Sequence, residues 1–242
     1  MTAFLSAVLK GFVKIFTLIP KKPKIAIPLI LLLLVLCGGF VVGGAFGNMA
    51  IRTSIMNKKY NYLREDEAFS QRVEVNNLDL VTQRISCGYA TIEMLSDYYG
   101  NRVTEEEISD KNDGKITTST TNGFLKEVNA VIKNQNFVSK AYVANDNLLK
   151  QIHKSLEKDN PVAIEWAAPL EETWTLHFSI VSAMDLANDE ITVYNPYGLI
   201  ETLDVDTFIS RTSFKAFKKM PIYVSFGLAF AAFHKNTIFY AL

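Results

Sequence analysis

The stretch Gln83–Gly100, QRISCGYATIEMLSDYYG, decides how the rest of the chain is read. After Cys87 the apolar residues Ile92, Leu95, Tyr98 and Tyr99 recur at three- and four-residue intervals, with Glu93, Ser96 and Asp97 between them. Gly100 stands where a helix C-cap belongs. The spacing predicts an amphipathic helix that opens on Cys87. A thiol in the first turn of a helix meets unpaired backbone N–H groups and the positive end of the dipole, and both favour thiolate, the form that attacks carbonyls. Position alone favours a small core cysteine, as most free cysteines are. The rest of the chain must supply partners before Cys87 becomes a candidate nucleophile.

Downstream, Thr104 followed by Glu105, Glu106 and Glu107 reads as an N-cap with an acidic first turn. Helices are also expected over Gly123–Asn134 and Asp146–Asp159, where apolar residues again fall on one face. The period then changes. Pro161–Ala167 (PVAIEWA), His177–Met184 (HFSIVSAM) and Ile191–Tyr194 (ITVY) read as strands, the last two joined through the turn cluster Asp185–Glu190. Helices first and antiparallel strands afterwards predict an α+β domain.

The hairpin offers the partners. His177 opens one strand and Asn195 closes the next, and the midpoint between them is position 186, beside the turn. A fold-back there places the two side chains opposite each other on one face. An imidazole oriented by a side-chain amide is the base that a thiol nucleophile requires. Either residue alone reads as an ordinary strand-end or turn residue.

CGYATIEMLSDYYG, then HFSIVSAMD about 90 residues later, then ITVYNPYG, resembles the bacteriocin-processing type of cysteine peptidase, family thirty-nine of the papain-like group. The resemblance covers roughly Asp79–Gly198 and rests on three motifs in order. It implies a papain-like fold with Cys87 as nucleophile, His177 as general base and then acid, and Asn195 as the residue that orients the imidazole. It also implies Gln83 as an oxyanion donor beside the backbone N–H of Cys87. Two departures stand out: Asn195 occupies the usual place of Asp, and Gln83 lies only four residues before Cys87.

Ahead of this domain, Ile25–Gly47 is 23 residues without a charge, long enough at about 1.5 Å per residue to cross a ~30 Å hydrocarbon core. The expected organisation is a basic amphipathic segment over 1–24, a transmembrane helix over 25–47, a membrane-proximal stalk over 48–68 and the papain-like domain over 69–242. Gly39, Gly43 and Gly47 repeat on one face, a spacing that allows two membrane helices to pack against each other. Five lysines before the span against four basic residues after it favour an inside N-terminus and an extracytoplasmic domain. Ile222–Phe233 is apolar but too short to span, and reads as a buried element.

The 25 basic and 25 acidic residues balance, which argues against nucleic acid as a partner. Two cysteines, one inside the apolar run, exclude a disulfide framework. His153 and His234 lack metal-ligand neighbours, so neither metal nor cofactor is expected. The reading is a membrane-anchored cysteine peptidase acting on a peptide or protein substrate. Acyl transfer by the same three residues, and a non-catalytic peptide-binding module of the same fold, remain as alternatives.

Overall fold

The computed structural model of the chain describes residues 23–56, 60–213, 219–224 and 236–242. It divides into two compact units, Met1–Met49 and Ala50–Leu242. Helix α1 runs Pro23–Met56 and contains Pro28. The side chains described along it include exposed Leu31, Leu32, Leu34, Val35, Leu36, Phe40 and Val41. Nothing lies within 4 Å of where a Cβ would stand on Gly39, Gly43 or Gly47. Among the described residues no helix is long and apolar enough to cross a membrane, so the span expected over 25–47 is not borne out there. The amphipathic segment expected over 1–24 lies outside the described residues save for its last two, Pro23 and Lys24, which open α1, and most of Ile222–Phe233 and His234 also lie outside them. Ile222 and Tyr223, which are described, are exposed rather than buried.

The second unit is built on an antiparallel sheet. Its strands are β1 (Val73–Glu74), β2 (Phe137–Ala141), β3 (Val162–Leu170), β4 (Thr173–Asp185), β5 (Glu190–Asn195), β6 (Leu199–Leu203) and β7 (Thr237–Ala241). The order is β2-β7-β3-β4-β5-β6, with β1 paired to β4 beyond the start of β3. The α+β class expected from the change of period is the class observed. Helices α2 (Cys87–Tyr98), α3 (Glu105–Lys111), α4 (Thr121–Val131), α5 (Asn145–Leu156) and α6 (Val205–Thr212) complete it.

Strands with apolar residues on both sides need cover on both sides. On one face Ala163, Phe178, Ile180 and Phe239 pack with Tyr89, Ile92 and Leu95 of α2 and Phe124 and Val128 of α4. On the other, Ile164, Trp166, Val181 and Val193 pack with Leu148 and Ile152 of α5 and Phe208 of α6. Tyr60 and Leu63 join this second core, and Arg64 pairs with Asp189 at 2.7 Å, so the segment expected as a stalk packs against the domain from Tyr60 onward.

The helix expected from Cys87 forms with Ser86 as N-cap, its side chain accepting from the Tyr89 N–H, and Gly100 follows at φ +76, as a C′ glycine should. Of Glu93, Ser96 and Asp97, Asp97 alone faces water. Glu93 and Ser96 are buried, because α2 is enclosed by the sheet, α3 and α4. Each has become an internal acceptor: Glu93 takes the Glu105 N–H at 2.6 Å and Ser96 Oγ the Val103 N–H at 2.8 Å.

Candidate active site

Cys87 is the first residue of α2 and half-buried. The segment before it is held by Glu105, whose fully buried carboxylate accepts the N–H groups of Arg84 (2.7 Å), Ile85 (2.8 Å) and Ser86. Glu105 therefore is no solvated member of an acidic first turn, although Thr104 and Glu107 form the capping box that starts α3. By engaging the three preceding N–H groups it fixes the approach to Cys87 and leaves the amides of Cys87 and Gly88 to the thiol. Burial pushes the Cys87 thiol up, and the nearby Glu165 carboxyl adds to this; N–H groups of Phe178, Gly88 and Cys87 itself oppose it. Phe178 follows His177 directly, so the thiol lies against the strand that carries the imidazole.

Gly88 is required sterically. A Cβ there would stand 2.2 Å from Thr118 Oγ1 and 2.5 Å from Thr118 Cβ, and Thr118 is buried. Gly88→Ala should therefore destabilise the domain by about 1–3 kcal/mol in urea unfolding, and Thr118→Gly in the same chain should recover most of the loss. A Gly88→Ala chain as stable as wild type would show that the first turn can shift freely.

His177 is 1% exposed and pairs with Trp166 across β3 and β4. Its Nε2 lies 2.7 Å from Asn195 Oδ1, and its ring stacks on Tyr197 at 4.0 Å between centroids. The register that brings them together differs from the expected one. Asp185 pairs with Glu190 and Met184 with Ile191, so the turn is centred beyond position 186. Continued unchanged, that register would set Asn195 on the face opposite His177, since one residue of slip reverses every side chain. A bulge between Val181 and Ala183 prevents this: Ile180 pairs with Tyr194, and Asn195 joins the face of Ser179 and His177, diagonal to His177 rather than directly opposite. The extra residue is Ser182, and its carbonyl is satisfied by the Val75 N–H at 2.9 Å.

Asn195 Oδ1 also accepts the Tyr197 N–H at 3.0 Å, while its Nδ2 donates to Glu201 Oε2 at 2.7 Å. With Nε2 engaged by an acceptor, Nδ1 is the imidazole nitrogen left to exchange a proton with a thiol. Burial pulls the imidazole down to about 4, against the Asn195 hydrogen bond and Glu201, which favour its charged form. Asn195–Gly198 form a turn closed by the Gly198 N–H on the Asn195 carbonyl at 3.0 Å. Gly198 has φ +84 and a Cβ would stand 3.0 Å from Thr82 Oγ1, so glycine suits it on both counts.

Gln83 reaches the same loop. Its N–H donates to the Pro196 carbonyl at 2.8 Å, and its Oε1 is buried without a hydrogen-bond partner among the described residues. A half-turn of the amide would aim Nε2 there instead, as an oxyanion donor requires. Three groups that the sequence did not single out adjoin the site: Glu201, Arg211 and Glu165. Glu165 is 4% exposed, accepts from Thr121 Oγ1 at 2.9 Å, and burial pushes its carboxyl up to about 7. Only spatial proximity reveals them. Trp166 is buried beneath Arg211; Trp174 lies under the Lys219 ammonium; His153 is buried against Phe69. Among the described residues no group of three or more His, Cys, Asp or Glu could hold a metal ion.

Residues 69–226, more than half of the chain, match a family model described as the Peptidase_C39 like family. No curated protein matches. The similar solved structures include two peptidase domains. One is a double glycine motif protease from an AMS/PCAT transporter in complex with the leader peptide, at TM-score 0.46 and 13% identity over 71% of this chain and 99% of that one. The other is the peptidase domain of Streptococcus ComA, a bifunctional ABC transporter involved in a quorum-sensing pathway, at 0.45 and 13% over 68% and 98%.

Proposed function

Because the chain belongs to the Peptidase_C39 like family, and so is a cysteine-type peptidase of papain-like α+β fold that acts on peptides, we propose that Cys87, His177 and Asn195 form its catalytic triad. The observation that carries this is the 2.7 Å contact between His177 Nε2 and Asn195 Oδ1, on a strand whose next residue, Phe178, belongs to the core cluster that Cys87 packs against. In the reaction His177 Nδ1 takes the thiol proton as Sγ attacks the substrate carbonyl. The tetrahedral oxyanion is received by the Cys87 N–H and Gln83. His177 then gives its proton to the leaving amine, which departs as the new N-terminus, and water attacks the acyl-enzyme with His177 again as base.

The test uses the full chain with a degenerate peptide library, reading new N-termini by mass spectrometry. Wild type should generate cleavages that Cys87→Ala and His177→Ala do not. Products that persist unchanged in Cys87→Ala would remove the nucleophile from this reading. Added amines captured in place of water would mark the chain as an acyl transferase.

Membrane attachment is part of the same proposal. Its supports are the uncharged run Ile25–Gly47 and the exposed apolar side chains of α1, with the domain on the extracytoplasmic side and Gly39, Gly43 and Gly47 as a face for self-association. The expected result is a chain that stays with membranes through alkaline carbonate washing. Release into the wash would leave the peptidase without its anchor.

A further inference from the structure

Position 195 holds an amide where a carboxylate would fail. Asn195 Nδ2 faces Glu201 Oε2 at 2.7 Å, and two carboxylates at that separation cannot both ionise. Glu201 in turn is held by Arg211 Nη1 at 2.8 Å. Arg211 is 4% exposed, donates from Nε to the Ala167 carbonyl at 3.0 Å and lies 3.5 Å over the Trp166 ring. A continuous chain of polar contacts therefore runs from the imidazole through Asn195 and Glu201 to a buried guanidinium. Its only net anion sits one residue beyond the amide. Glu201 stands opposite Val193 on β6, diagonal to Asn195, so the sheet register delivers it to this place.

We propose that Glu201, held by Arg211, is a positioning residue for the peptidase reaction: it selects the amide orientation of Asn195 and thereby the Nε2–H tautomer of His177. An acceptor-only carboxylate can face Nδ2 but not Oδ1. Oδ1 is then turned to His177 and to the Tyr197 N–H, Nε2 must carry the proton, and Nδ1 is free as base. Without the carboxylate only the Tyr197 N–H still holds Oδ1 in place, and each amide that turns over donates to Nε2, which moves the proton to Nδ1 and removes the base. The wrong tautomer is a severe lesion in enzymes of this logic, and Glu201 acts one contact further out. The groups facing His177 are Asn195, Tyr197, Glu201 and Arg211. This inference rests on the triad reading above.

The experiment follows iodoacetamide alkylation of Cys87 in the full chain across pH, scored on the Cys87 peptide by mass spectrometry so that Cys37 does not contribute. Alongside it, ¹⁵N shifts of the labelled imidazoles report the tautomer of His177. Glu201→Gln should slow alkylation at about pH 6 by tenfold or more and shift His177 toward the Nδ1–H form. Asn195→Asp should be impaired as well, because it sets two acceptors face to face. The double variant Asn195→Asp with Glu201→Gln restores a donor opposite an acceptor and keeps one anion for Arg211. It should recover most of the rate, which a merely structural role for Glu201 would not predict. A Glu201→Gln profile that superimposes on wild type, or a double variant no faster than either single one, overturns the proposal while leaving the triad intact. The double variant decides the matter if Glu201→Gln fails to fold. His177→Ala alkylating like wild type overturns the triad reading, and the proposal with it.

Discussion

Alkylation of wild-type Cys87 should hold a plateau from the thiol's own titration down to about pH 4, and His177→Ala should abolish that plateau. The argument starts from burial. It pushes the thiol up and pulls the imidazole down to about 4, so the ligand-free pair rests neutral around pH 7. That differs from the resting thiolate suggested by a cysteine at a helix N-terminus: the half-buried thiol loses more by desolvation than its three N–H neighbours return. A neutral thiol beside a neutral imidazole still reacts, because the proton passes to Nδ1 as the sulfur attacks. The rate then depends on His177 being unprotonated, and the acid limb reports its titration near 4 rather than the ~6.5 of an ordinary imidazole. In His177→Ala only free thiolate can react, and its fraction falls about tenfold per pH unit below the thiol's titration, which burial pushes up. At about pH 6 the two chains should differ by roughly 10²–10³-fold, and peptide cleavage should show the same limb. Equal and slow alkylation in both proteins would sink the triad and favour a module that binds peptides without cutting them.

How much of this was legible from the chain differs by residue. The helix at Cys87, its glycine stop at Gly100, the cap at Thr104 and the strands around His177 and Asn195 all follow from local spacing, and the α+β fold follows from their order. The pairing of His177 with Asn195 was reached through a symmetric hairpin that does not form. The turn lies further along, and Ser182 restores the shared face by bulging; no local property of Ser182 announces this, since its carbonyl is met by the Val75 N–H, just after β1 and more than 100 residues earlier. Glu93, Ser96 and Glu105 read as solvated because acidic and hydroxyl residues are counted as surface. They are buried because backbone donors of the loop before Cys87 and the start of α3 need acceptors there. Glu201 and Arg211 carry no pattern at all. Their meaning depends on a diagonal across two strands and on α6 folding back over Trp166.

Stability should show two opposite pH slopes, one from each buried group beside the thiol, and single variants should expose them. Burial holds the folded imidazole of His177 near 4 against ~6.5 unfolded, so the unfolded chain binds the extra proton between these values. That contribution is complete above the unfolded value and is lost as pH falls through the window. Glu165 has the other sign. Its folded carboxyl is pushed up to about 7 against a usual value of 4.5, so the folded chain binds the extra proton, and the contribution is complete at low pH and lost as pH rises through about 7. Each window spans about 2.5 pH units and is worth at most about 3 kcal/mol, so between pH 4.5 and 6.5 the two nearly cancel in wild type. Urea unfolding at stepped pH separates them. The stability of Glu165→Gln relative to wild type should rise by up to about 3 kcal/mol from pH 4.5 to 7, and that of His177→Ala should fall by a similar amount from pH 4 to 6.5. Variants that run parallel to wild type would mean that neither group is desolvated as placed. The cancellation also bears on catalysis: below about pH 7 the carboxyl against the sheet is neutral and leaves the thiol's N–H groups unopposed, whereas its ionisation above that value raises the cost of thiolate. Glu165→Gln should therefore keep the alkylation plateau and bring the thiol's own titration, where the plateau ends, to lower pH than in wild type.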